Sequence, residues 1–182
     1  MTMSRALAFL LAAAASMPAA VLAQNAPTDR VKRGEYLVTI GGCHDCHTPL
    51  VMGANGPEPD MKRALSGHPQ DIAIRGPTPL PEPWMAAFAP TMTAATGPWG
   101  VSFSANLTPD PETGVLRDFT EQQFIQTLRT GRHQGQGRPI LPPMPWQNVG
   151  QMTDEDLRSV FAYLRQIPPV KNKVPDPIIA AK

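Results

Sequence analysis

The sequence predicts an all-α fold with long irregular loops, and three observations carry that expectation. Apolar residues recur at three- and four-residue spacing in three separate stretches. No run of alternating β-branched residues stands anywhere in the chain. Proline and glycine, at 22 and 14 of 182 residues, fall mostly between Pro49 and Pro109 and again between Gly131 and Pro145. Proline fixes φ and removes a backbone donor, so these segments read as ordered loop. Loops of that length are uncommon in a compact domain unless they are functional or disordered.

The first 23 residues read as a cleaved leader. Arg5 supplies a positive start, Ala6 to Ala15 an apolar run, and Val21 and Ala23 the small side chains that a signal peptidase inspects. Cleavage after Ala23 would leave Gln24 first in a mature domain spanning 24–182, a length suited to one domain. The rival is an uncleaved membrane anchor, but the stretch is short for a span and is broken by Ser16 and Pro18. The 16 Lys and Arg, less Arg5, balance 15 Asp and Glu. A neutral chain with no clustered basic face argues against a nucleic-acid partner. No second apolar span follows residue 23, so no membrane span is expected in the mature chain.

The first helix is expected from about Val31 to Ile40, with Val31, Tyr36, Leu37 and Ile40 apolar and Gly34 inside it. A helical glycine costs about 1 kcal/mol relative to alanine, which a close helix crossing would explain. A short helix near Asp60 to Leu65 is a weaker expectation. Residues 67–106, with Trp84, Phe88 and Trp99, read as a loop insertion. The second long helix starts at Thr120, capped by Thr120 or Asp118, buries Phe124, Ile125 and Leu128, and stops at Gly131. The third is capped by Thr153, carries Glu155 and Asp156 in its first turn, and repeats Leu157, Val160, Phe161 and Leu164 until Pro168.

Both cysteines fall in Cys43-His44-Asp45-Cys46-His47, just behind the first helix. C-x-x-C-H is the spacing at which haem c is attached. Two thiols three residues apart can each add to one haem vinyl group, and the adjacent histidine can bring its imidazole to the iron. A thioredoxin-like pair would need a strand leading into a helix whose N-terminus lowers the thiol pKa, and no strand pattern precedes Cys43. Zinc would accept two Cys and two His, yet His68 and His133 lack the paired spacing of a finger. A haem also supplies an apolar surface against which irregular loops can pack.

With His47 on one side of the iron, the other side decides function: an open position permits small-molecule or peroxide chemistry, a second protein ligand favours electron transfer. Met144 is the leading candidate, framed by Pro142, Pro143 and Pro145 in the loop between the second and third helices. A plain gap-filling role in the core is the alternative. Met152 sits at the start of the third helix, where local packing explains it; Met52, Met61, Met85 and Met92 have no such frame, and His44, His68 and His133 are weaker ligands. Trp99 is a candidate indole donor to a haem propionate. Arg75 and Arg138 are candidates to pair with propionates on charge alone.

Taken together, the attachment motif behind an N-terminal helix, the late methionine loop and a closing helix with Tyr163-Leu164 resemble the class I c-type cytochromes. The resemblance implies an all-α class I fold whose first and last helices cross at Gly34 against Phe161 or Tyr163. More closely, the chain resembles the cytochrome domains that accompany periplasmic or membrane-associated alcohol, aldehyde and sugar-acid dehydrogenases. The matching stretches are Arg33-Gly34-Glu35-Tyr36-Leu37, Phe103 to Asp110, Leu128-Arg129-Thr130-Gly131, Pro143-Met144-Pro145-Trp146 and Met152 to Leu157.

That resemblance implies one covalently attached haem c with His47 and Met144 as axial ligands, in a periplasmic electron carrier rather than an enzyme. Electrons would come from a dehydrogenase or another redox protein and pass to an oxidase or another cytochrome of the respiratory chain. The alternative is a small haem peroxidase or gas-binding protein with a displaceable sixth ligand. Such dehydrogenase subunits often carry three domains of this kind and a C-terminal anchor. The single motif and the polar end at Lys182 lead to the expectation of a free carrier or a small subunit.

Overall fold

The computed structural model describes residues 27–180, so the expected leader lies outside the described residues. Five helices follow in order: α1 (Pro27–Ile40), α2 (Cys43–His47), α3 (Glu121–Thr130), α4 (Trp146–Val149) and α5 (Asp154–Leu164). The long ones are α1, α3 and α5, the three that hydrophobic periodicity predicts. Proline at the first position of α1 loses no intrahelical bond there. Thr120 caps α3 by accepting from the Gln123 N–H, while the Gln123 side chain accepts from the Thr120 N–H at 2.9 Å, a full capping box. Thr153 caps α5 by accepting from the Asp156 N–H at 3.1 Å. The Asp156 carboxylate reaches across to Arg33 at 2.9 Å.

The apolar stripes of these helices meet in one core, with Leu37 and Val38 from α1, Phe124, Ile125 and Leu128 from α3, and Leu157, Val160 and Leu164 from α5. α1 and α5 cross at Gly34. A Cβ there would stand 2.6 Å from the Ser159 carbonyl carbon and 2.7 Å from Tyr163 Cβ, closer than real Cβ contacts come. The expected glycine contact thus falls on the Ser159 backbone and Tyr163, and the cost of glycine in the helix is offset by the closeness of the crossing.

The all-α expectation is corrected by two antiparallel sheets, which make the fold mixed α and β. β1 (Leu50–Gly53) pairs with β2 (Gly56–Pro59). A four-stranded sheet runs in the order β3 (Ala87–Phe88), β4 (Ala94–Gly97), β5 (Gly100–Phe103), β6 (Ile178–Ile179). The strands have two to four residues each, too short to print an alternating pattern. Two of the turns do leave a trace: the β1–β2 and β4–β5 hairpins each close over two residues onto a glycine at positive φ, Gly56 at 120° and Gly100 at 103°. The expected helix from Asp60 to Leu65 is reduced to a single 3₁₀ turn, Met61–Arg63, capped by the Asp60 side chain.

The loops between these strands are held by buried polar side chains. Asn106 Oδ1 accepts from the N–H and hydroxyl of Thr108, and its amide donates to the Val170 carbonyl at 2.9 Å. Asn172 donates to the carbonyls of Ser66 and His68 at 2.7 and 2.9 Å and accepts from the Gln70 N–H. These bonds strap the chain after α5 across residues 66–70 and 106–113, and β6 then joins the edge of β5. Among the described residues no helix is long and apolar enough to cross a membrane.

Candidate haem-attachment site

Gly42, in the left-handed region at φ 66°, turns the chain out of α1 and starts α2, so Cys43 and Cys46 stand about one helical turn apart. Cys43 packs against the helical core; both thiols are free and half-buried. Burial, helped by the Asp45 carboxylate, pushes the Cys43 thiol up to about 11, and the same two influences raise Cys46. A dithiol redox pair needs the opposite shift, so the geometry disfavours that rival. Among the described residues no three His, Cys, Asp or Glu side chains gather as a set that could hold a bare metal ion.

His47 is buried, and its Nδ1–H donates to the Ala105 carbonyl at 2.8 Å. A carbonyl only accepts, so the proton sits on Nδ1 and the lone pair on Nε2. Burial holds the imidazole below its ordinary pKa, with the Ala105 carbonyl opposing, so the ring stays neutral at pH 7. A neutral imidazole with one nitrogen committed to a carbonyl is the state an iron ligand requires. The surrounding chain is pinned as well: the His47 carbonyl accepts from the Gly67 N–H at 2.8 Å, and the Leu65 N–H donates to Thr48 Oγ1 at 2.9 Å. The Thr48 hydroxyl in turn lies 2.8 Å from His44 Nδ1. The donor set, two thiols and a neutral imidazole on one short helix, fits a covalently held haem.

Met144 is half-buried and packs against the same core as Cys43. Its loop is gripped on both sides. Ser102 Oγ donates to the Pro142 carbonyl at 2.5 Å, and beyond the methionine the Trp146 ring covers Gly131. Arg129 closes the far end, bonding the Gly150 carbonyl and pairing with Asp154 at 2.6 Å. Met152 also packs on the core, with its methyl beside Gly41, in keeping with a local packing role.

The other sequence candidates are scattered. Trp99 sits in the β4–β5 turn and donates its indole N–H to Ser102 Oγ at 3.3 Å. Arg75 is exposed among residues 67–86, and Arg138 is exposed on the short hairpin that joins Arg132 to Pro139, under the influence of the Asp176 carboxylate. His68 is wholly buried and uses both ring nitrogens within the protein, Nδ1 with Thr93 Oγ1 at 3.0 Å and Nε2 with the Ile72 carbonyl at 2.9 Å. It is therefore a structural histidine. Sequence reasoning overlooked Ala105, Thr48 and Ser102. The stretch Phe103 to Asp110 was the one signal near them, and its structural meaning is that it presents Ala105 to His47 while Asn106 ties down the C-terminal strap.

Attachment motif, neutral buried imidazole and helical frame together define a haem-c-binding cytochrome domain. Within that class the chain resembles the cytochrome c subunits of several dehydrogenases. It is 30% identical over 157 residues, 85% of its length, to the cytochrome c subunit of a quinone-dependent alcohol dehydrogenase from Gluconobacter oxydans (strain 621H), covering 25% of that protein. It is 30% identical over 145 residues, 79% of its length, to the gluconate 2-dehydrogenase cytochrome c subunit of Pantoea cypripedii, again covering 25%. The fructose dehydrogenase cytochrome subunit of Gluconobacter japonicus matches 74% of the chain at 28% identity, over 20% of its own length. The chain thus spans about a quarter of the length of the curated relatives it matches. No protein-family model matches it.

Proposed function

We propose that this domain is a periplasmic one-electron carrier, with His47 Nε2 and Met144 Sδ as the two axial ligands. Haem c supplies the ferric–ferrous couple. Cys43 and Cys46 would each hold a thioether bond to it, and His47 is kept in the right tautomer by Ala105. The single observation that carries this reading is the neutral, oriented His47 one residue from Cys46. Met144 is supported by its packing on the same core as Cys43 and by the clamps on its loop. A thioether opposite an imidazole raises the potential, which suits a carrier late in a chain of transfers.

The electron donor in this reading is a dehydrogenase, as the names of the relatives suggest, working in the periplasm with this domain, and the acceptor is an oxidase or a further cytochrome. No side chain is required as acid, base or nucleophile, so the domain carries electrons and does not itself act on a substrate. The ferric holoprotein should show the weak far-red band of an iron–sulfur bond, and Met144→Ala should abolish it while both thioether bonds remain. Persistence of the band in Met144→Ala would overturn the ligand assignment. Isolation of the native protein with a dehydrogenase subunit would identify the donor.

A further inference from the structure

The Met144 loop is poor in backbone donors, because Pro142, Pro143 and Pro145 have no N–H. Such a loop is gripped mainly through its carbonyls and side chains. The Pro142 carbonyl, two residues before the methionine, accepts from Ser102 Oγ at 2.5 Å. Ser102 is 8% exposed and lies in β5, outside the helical core. Its oxygen also accepts the indole N–H of Trp99 at 3.3 Å, and of the two carbonyls within reach of its one proton, Pro142 at 2.5 Å and Ala95 at 3.4 Å, the nearer lies on the methionine loop. Past the methionine, the Met144 carbonyl accepts from the Trp146 N–H at 2.9 Å.

We propose that Ser102, backed by Trp99, is a positioning residue for the methionine ligand: the β4–β5 hairpin holds the Pro142 carbonyl and so keeps the Met144 thioether on the iron. The inference rests on the assignment of Met144 as axial ligand. A thioether is a neutral, weak ligand on a flexible stem, so the work of retaining it falls on the backbone that carries it. Residues 67–106 then act on the haem at a distance, by governing how readily the sixth position opens. Trp99 has a role here that differs from propionate binding.

The test uses the ferric holoprotein in native, Ser102→Ala, Ser102→Thr, Trp99→Phe and Met144→Ala forms, and reads the far-red band and the rate of cyanide binding. Ser102→Ala should speed cyanide binding about tenfold, the factor that one lost hydrogen bond of ordinary net strength allows. Ser102→Thr keeps the hydroxyl and should restore the native rate. Trp99→Phe should shift the rate in the same direction by a smaller factor. If Met144→Ala loses the band while Ser102→Ala binds cyanide at the native rate, the positioning role fails and the ligand assignment stands. If Met144→Ala keeps the band, both fail. Equal acceleration in Ser102→Ala and Ser102→Thr would mark a packing role and overturn the proposal. Should Ser102→Ala not mature, Trp99→Phe decides, and a native rate there overturns the proposal.

Discussion

The helical frame and the strand-bearing loops are built on different physics. In the frame, Leu37, Val38, Ile125, Leu157 and Leu164 are buried with no polar partner to find. Each contributes about 1.5–3 kcal/mol by leaving water, and none depends on one particular neighbour. In the loops, apolar residues such as Leu65 and Val101 are buried too, but beside them stand the buried polar residues His68, Thr93, Asn106, Thr108 and Asn172, each bonded to a specific backbone or side-chain group. A satisfied hydrogen bond there contributes only about 1 kcal/mol net, whereas an orphaned partner costs about 1–3 kcal/mol. The frame therefore supplies stability, and the loops supply position. His47 stands at the seam, carried by the helix behind α1 and aimed by a carbonyl from the loops.

The largest effect should come from breaking the frame at its tightest point. Gly34→Val places side-chain atoms inside the Ser159 backbone and should destabilise the protein by about 3 kcal/mol or more in urea unfolding. A loss below about 1 kcal/mol would mean that α1 and α5 part easily, against the close crossing. Asn172→Ala should come next, at about 2 kcal/mol, because it orphans the carbonyls of Ser66 and His68 and the Gln70 N–H. Its signature is local: amide exchange should speed up over 66–70 and 106–113 while α1 and α5 keep their protection. Equal loss of protection in the helices would show that the two regions unfold as one unit.

The smallest and sharpest probe is His68. Burial holds its pKa below the ordinary 6.5, so the unfolded chain takes up the proton first as pH falls. Its contribution to stability is present above that ordinary value and is lost as the pH drops through the lower folded value. Protonation would also remove the Nδ1 acceptor that faces Thr93. Stability measured from pH 7 downward should fall less steeply in His68→Gln than in the native protein. An unchanged slope would place the acid sensitivity elsewhere.

Much of this molecule could be read before any coordinates. The attachment motif, the three long helices and their caps at Thr120 and Thr153 all rest on residues within a few positions of one another or on a strict period, whereas the partners of the glycine crossing came from the family resemblance. The six strands escaped because strands of two to four residues carry no period. Trp99 was noticed, but its partner was not. The sequence does not record which of several nearby oxygens a buried indole will meet.

What the sequence by itself determined is local chemistry: two thiols and an imidazole in one turn of helix, and apolar stripes that must bury each other. Only the tertiary structure decided which way the imidazole faces, what strap closes the loops, and what grips the methionine segment. Those outcomes depend on the carbonyls of Ala105, Ser66, His68 and Pro142, which lie 40 to 106 residues from the side chains that bond them. A backbone carbonyl is the same group at every residue, so its selection leaves no mark in the amino-acid sequence and is made only when the chain has folded.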